Sequence, residues 1–177
     1  MTRLGPIAAT HDGSIPPSDG TLPDEAATAA VAAALAPRLG AGDTVALWGE
    51  LGAGKTAFAR ALIRARLGDA AAEVASPSYT LVNVFPTEPP LWHADLYRLG
   101  GADEAAELGL DEAFGQAILL LEWPGRLGPL LPARRLDVTL DFIAAGGEGE
   151  RTLAVHPRGA WPALDGWPGL DRFAGPA

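Results

Sequence analysis

The chain has 177 residues, 48% hydrophobic and 20% charged, with a formal net charge of −9. This composition suits one folded domain with a substantial core and excludes a disordered chain. The acidic balance argues against direct, tight nucleic-acid binding, because Arg134-Arg135 is the longest basic run.

Cysteine is absent, which rules out disulfides, thiolate zinc sites and Cys nucleophiles. No apolar stretch is long enough to span a bilayer. The N-terminus shows no charged region leading into an apolar core and cleavage site, so a cytoplasmic protein with no membrane partner is expected. Lys55 is the single lysine beside twelve arginines. A coding bias towards Arg accounts for the shortage, and it makes the surviving lysine informative, since a compact ammonium is not interchangeable with a guanidinium.

In chain order, residues 1–21 contain Gly, Pro and Ser without periodicity and read as a flexible leader. Leu22-Pro23-Asp24-Glu25 reads as a helix start with acids in the first turn, followed by an Ala-rich helix over 26–39. The short apolar run over 44–48 predicts a buried strand. A glycine-rich loop follows at once, then good helix formers over 56–67 that stop at Gly68. Strands are expected over 80–85 and 91–97, separated by a turn at Pro86, Pro89 and Pro90. A short acidic helix is expected over 103–108, and a turn or second helix over 111–114. Residues 117–121 form the most hydrophobic run, a buried strand ending in Glu122-Trp123-Pro124. Alternation over 135–143, and more weakly over 151–156, predicts a hairpin around Gly146-Gly147. Strands alternating with helices give an α/β fold, a P-loop-type mixed sheet flanked by helices in three layers, with an antiparallel portion from the late hairpin. Residues 22–156 are read as the domain, and 157–177, with two Trp-Pro pieces at Trp161 and Trp167, as a Gly/Pro-rich tail pinned to it by its Trp rings.

The segment Gly49-Glu50-Leu51-Gly52-Ala53-Gly54-Lys55-Thr56 carries the chemistry. Gly52 and Gly54 let backbone approach phosphate oxygens without a Cβ in the way. Successive N–H groups of Leu51, Gly52, Ala53, Gly54, Lys55, Thr56 and Ala57 then line one concavity at the positive end of a helix. Lys55 is expected on the β- and γ-phosphates, and the Thr56 hydroxyl on Mg2+. The strand before and the helix after are the context this motif requires.

Two carboxylates stand at strand ends. Glu122 follows the apolar strand as a Walker B acid would, and Asp95 closes another strand. Either could hold Mg2+ through water while the other orients the attacking water; for each, a surface ion pair is the plainer alternative. His93, two residues before Asp95, reads as structural. Ser76, Ser78 and Thr80 place hydroxyls in a loop that is either a γ-phosphate-sensing switch or an ordinary Pro turn. Guanine readers of the Asn/Thr-Lys-x-Asp type need a second lysine, so ATP is favoured over GTP by elimination.

Together these segments resemble the TsaE family (older name YjeE), P-loop ATPases of tRNA threonylcarbamoyladenosine synthesis. The resemblance runs from about Leu22 to Val155. Its most specific parts are His93-Ala94-Asp95-Leu96-Tyr97-Arg98-Leu99 and Leu121-Glu122-Trp123-Pro124, in this order and spacing. It implies a Mg-ATP site with Lys55 and Thr56 on phosphate and metal, and with Asp95 and Glu122 in metal and hydrolysis roles. It also favours the switch reading of 76–80 and places the first helix, near Glu25 and Thr28, beside the nucleotide. Trp123 is a candidate to stack on adenine, or a core residue. The implied function is ATP hydrolysis that resets a TsaB–TsaD-type complex, with tRNA met only through that complex. This sequence has Glu50 and Ser78 where the family usually has Asp and Thr. Two other readings stay open: a P-loop small-molecule kinase, for which only Arg98, Arg126, Arg134 and Arg135 could serve a lid, and a nucleotide-gated adaptor with negligible hydrolysis.

Overall fold

A computed structural model describes residues 20–143, 149–162, 164, 170 and 173. The leader up to residue 19, the Gly146-Gly147 turn and the second Trp-Pro piece lie outside the described residues. The elements in order are β1 (Thr21–Leu22), α1 (Glu25–Leu35), β2 (Thr44–Trp48), α2 (Lys55–Leu67), β3 (Val82–Phe85), β4 (Leu91–Asp95), α3 (Ala102–Ala106), α4 (Leu110–Ala113), β5 (Ile118–Glu122), β6 (Arg135–Phe142) and β7 (Arg151–Arg158). The seven strands form one sheet in the order β1-β7-β6-β2-β5-β4-β3. Its centre is parallel, with β2 between β5 and β6 and β5 against β4. Both margins are antiparallel: β3 on β4 at one edge, and β7 on β6 with β1 outside it at the other.

The expected fold class therefore holds, and strand β5 shows how the layers arise. Side chains alternate across a strand. Ile118 and Leu120 face the core under α1 and α2, with Val45, Leu47, Leu91 and Val138. Leu119 and Leu121 face the opposite core with Ala94, Leu96, Ala105, Leu110 and Leu127. A strand buried on both sides must be apolar throughout, which is why residues 117–121 show no alternation.

Element ends follow local chemistry. Helix α1 starts where Asp24 caps it, its carboxylate accepting from the Ala27 N–H at 2.7 Å. It ends at Leu35 and tightens into a 3₁₀ turn at Ala36–Arg38, short of the expected residue 39, because Pro37 has no N–H to continue the ladder. Helix α2 ends at Gly68 in the left-handed conformation, as expected. Strand β3 begins at Val82 rather than residue 80, since Leu81 has φ 64° and cannot sit in a pleat. Strand β4 stops at Asp95 rather than residue 97: the Asp95 carboxylate accepts the Tyr97 N–H at 3.1 Å and folds the chain into a turn. Beyond β7, Trp161, Leu164, Leu170 and Phe173 are buried in the core that α1 and α2 cover.

Candidate functional site

Strands β2, β4 and β5 run parallel or in register so that the P-loop, Asp95 and Glu122 reach the same sheet edge. Asp95 is the direct cross-strand partner of Glu122, and Leu47 at the end of β2 is the partner of Glu122 on its other side. Ligands of open α/β sheets bind at this carboxyl edge.

The loop from Gly49 to Gly54 depends on two glycines in particular. Gly49 has φ 135°, and a Cβ there would collide with the Leu140 carbonyl on β6. Gly54 has φ 104° and would push a Cβ to 3.0 Å from the Arg151 guanidinium Nε. No side chain caps α2, so the N–H groups of its first turn have no partner within the helix and remain for a ligand. The cleft in front of them is lined by Leu51, Gly52, Gly54, Lys55, Thr56, Ala57, Ser78, Asp95, Tyr97, Glu122 and Trp123. Its volume of about 220 Å³ is below the roughly 300–1,000 Å³ of whole-ligand pockets, and fits the phosphate end of a nucleotide.

Lys55 is buried, and its ammonium donates to the carbonyls of Gly49 and Glu50, both at 2.7 Å. It lies 4.0 Å from the centroid of the Trp123 ring. Burial lowers its pKa, and the attraction of Glu122, Asp95 and Glu50 only partly offsets that. Trp123 itself takes φ 58°, a left-handed conformation that costs a non-glycine residue about 1–3 kcal/mol. Pro124 disfavours the right-handed basin for the residue before it. The strained backbone turns the indole over Lys55 and against Tyr97, with ring centroids 4.9 Å apart.

The acids are held differently. Glu122, buried, accepts the Thr56 hydroxyl at 2.8 Å on Oε2 and lies 2.9 Å from His93 Nε2 on Oε1. Asp95 accepts the Ser78 hydroxyl at 2.7 Å on Oδ2, and Ser76 backs Ser78 at 2.8 Å. Thr56, Glu122 and Asp95 form an all-oxygen donor set of the kind hard cations take. Among the described residues no three acidic or imidazole groups converge closely enough to hold a metal by themselves. Any cation held here would need further donors besides these side chains.

The structure thus gathers Lys55, Thr56, Asp95, Glu122, Trp123 and Ser78 around one cleft with Leu51, Gly52, Gly54 and Ala57, whereas Ala53 is buried outside its lining and gives its N–H to the Glu50 carbonyl at 3.2 Å, closing the turn of the loop. The structure places Ser76 one hydrogen bond behind, and turns Thr80 outward onto Asn83. Glu25 is exposed on the first turn of α1, and Thr28 is buried with its hydroxyl 3.2 Å from the Asp24 carbonyl; neither lines the cleft. Trp123 lines the cleft and stands over Lys55. Two further participants are brought in by the pairing of the sheet. Arg151 on β7 donates from Nε to the Ala53 carbonyl at 2.8 Å and braces the loop from the far margin of the sheet. His93 touches Glu122 only because β4 and β5 pair in this register.

A family model described as "Threonylcarbamoyl adenosine biosynthesis protein TsaE" matches residues 22–152. The chain is similar to proteins named tRNA threonylcarbamoyladenosine biosynthesis protein TsaE from several bacteria. That of Streptomyces coelicolor is 46% identical over 111 residues, 60% of this chain and 74% of that protein. That of Bacillus subtilis is 39% identical over 114 residues, 63% and 68% of the two chains. That of Rickettsia felis is 36% identical over 123 residues, 69% and 71%. The crystal structure of Bacillus subtilis YdiB superposes with a TM-score of 0.60 at 30% identity, over 75% of this chain and 80% of that one. With a family-model match over residues 22–152, which include the glycine-rich loop, Asp95 and Glu122, the chain belongs to the TsaE family.

Proposed function

We propose that this protein is the Mg-ATP-binding ATPase of the bacterial machinery that makes N6-threonylcarbamoyladenosine at position 37 of tRNA. It hydrolyses ATP to reset a TsaB–TsaD-type complex and does not transfer the group itself. The family membership supports the pathway. The observation that carries the enzymatic reading is the Thr56–Glu122 hydrogen bond beside Lys55, which joins the helix N-terminus to the end of β5 across the cleft.

In this reading the first-turn N–H groups and Lys55 take the β- and γ-phosphates. Thr56, Glu122 and Asp95 would hold magnesium, which supplies charge neutralisation on the phosphate oxygens. The fit is electrostatic as well as geometric: Lys55 faces three carboxylates, Glu122, Asp95 and Glu50, so a triphosphate beside them needs further positive charge. Asp95 or Glu122 orients the attacking water, within the part of the site that Ser78 and Tyr97 close. The Lys55 ammonium is engaged by its own loop carbonyls and covered by Trp123, which supports slow hydrolysis by the isolated chain. The net charge of −9 suits a protein partner and leaves tRNA contact to the complex. The place of work is then the cytoplasm.

The test is the ATP hydrolysis rate with and without the cognate TsaB–TsaD pair. A low rate alone and a clear rise with the pair, lost in Lys55→Ala and Glu122→Ala, is the expected result. An unchanged rate would overturn the partner-activated reading.

A further inference from the structure

His93 points from β4 to the same face as Asp95, because side chains two apart share a face. Its cross-strand partner is Leu120 on β5, which makes Glu122 the diagonal neighbour two residues on. The ring is fully buried, and Nε2 meets Glu122 Oε1 at 2.9 Å. A carboxylate oxygen only accepts, so Nε2 carries the proton and donates it. The other ring nitrogen, Nδ1, is buried and has no hydrogen-bond partner among the described residues. An ordinary core position would hold an apolar side chain, or would satisfy both nitrogens. The buried, half-satisfied ring is a folding penalty, and the one polar contact it makes is to Glu122.

That contact fixes a degree of freedom. Glu122 has two oxygens and one rotatable plane. With Oε1 on His93, Oε2 is left facing the Thr56 hydroxyl at 2.8 Å. We infer that His93 is a positioning residue: its Nε2–H locks the Glu122 carboxylate so that Oε2 and Thr56 stay together, and this sets how strongly Mg2+ tightens nucleotide binding. The inference rests on the Mg-ATP reading above. His93 touches neither nucleotide nor metal; it acts through Glu122. Groups that orient a carboxylate or imidazole next to a metal typically change metal affinity by about 10–100-fold when removed.

The experiment compares the affinity of the full chain for a non-hydrolysable ATP analogue with and without Mg2+, by isothermal titration, in four proteins. Wild type should bind tighter with Mg2+. His93→Gln carries an amide N–H at about the reach of Nε2 and should keep most of that ratio. His93→Asn is too short to reach Glu122 and should lose roughly 10–100-fold of the Mg2+ effect, as should His93→Leu. Binding without Mg2+ should stay within about twofold of wild type in all of them, because the phosphate cradle itself is untouched. His93→Leu also removes the unpartnered Nδ1, so its melting temperature should be no lower than wild type. A space-filling role predicts the reverse pattern, with Leu tolerated and Gln and Asn alike. The inference is overturned if His93→Leu keeps the Mg2+ ratio, or if Gln and Asn behave alike, and the Gln/Asn contrast decides even if His93→Leu does not fold. Wild type that shows no Mg2+-linked binding would instead sink the Mg-ATP reading itself.

Discussion

The Thr56–Glu122 bond can be tested without any nucleotide. Thr56→Val keeps the shape of the side chain and deletes its hydroxyl. The bond is 2.8 Å long, and its acceptor is a carboxylate only 2% exposed. A hydrogen bond to a charged group contributes about 1.5–3 kcal/mol, and removing the donor leaves Oε2 buried without it. One kcal/mol shifts the melting temperature by about 2–4 °C in a domain of this size. The expected loss is therefore about 3–12 °C by differential scanning calorimetry or far-UV circular dichroism. Thr56→Ser keeps the hydroxyl and should melt within about 2 °C of wild type. If Val and Ser melt alike, the carboxylate is satisfied by water and the claim that the bond links α2 to β5 fails. A Val variant that melts higher than wild type would mean that placing this hydroxyl against Glu122 costs more than it returns.

Three other outcomes follow from the same geometry. Lys55→Arg should lower nucleotide affinity at least about 100-fold, near 2.7 kcal/mol, although the charge is kept. A guanidinium cannot place one nitrogen 2.7 Å from both the Gly49 and Glu50 carbonyls beneath Trp123; a titration with near-normal affinity would refute this. Arg151→Ala removes one charge-assisted bond to the Ala53 carbonyl, at 2.8 Å, and should weaken nucleotide binding roughly 10-fold or more while the chain stays folded. Unchanged affinity would show that the loop holds its shape unaided. Asp137 is buried, which by itself would raise its pKa, yet Arg135, the nearby Trp48 indole and Arg158 outweigh burial and hold the carboxyl below its usual 3.8. A carboxyl whose folded pKa is depressed adds stability above the unfolded value, and that stability is lost as pH falls through 3.8 towards the folded pKa. Asp137→Asn should thus cost about 1–3 kcal/mol near neutral pH and progressively less at about pH 3 and below, read from urea midpoints; a pH-independent difference would contradict the assignment.

The sequence determined the parts whose cause is local. Gly52, Gly54, Lys55 and Thr56 specify a phosphate loop because few residue types permit that backbone and that chemistry. Residues 117–121 read as a buried strand because so short an apolar run between turn signals suits a strand hidden on both faces, and the acid that follows is then delivered to the sheet edge. Asp24 and Gly68 mark helix ends by their own hydrogen bonding and left-handed backbone. Two of the element ends that differed did so for equally local reasons: Pro37 cut α1 short, and the Asp95 carboxylate took the Tyr97 N–H in the turn that ends β4.

What only the tertiary structure decided is whatever depends on strand order and register. No local pattern says that β2 lies between β5 and β6, so none reveals that Gly49 passes against the Leu140 carbonyl. Arg151 is 98 residues from Ala53 in sequence, and reaches it because β7 folds back on β6. His93 reads as a core histidine until β4 and β5 align in this register and set its Nε2 against Glu122. The residues that do the chemistry are legible because chemistry constrains their type. The residues that hold them in place are not, because any long or polar side chain could serve, and only the paths of distant strands decide which one does.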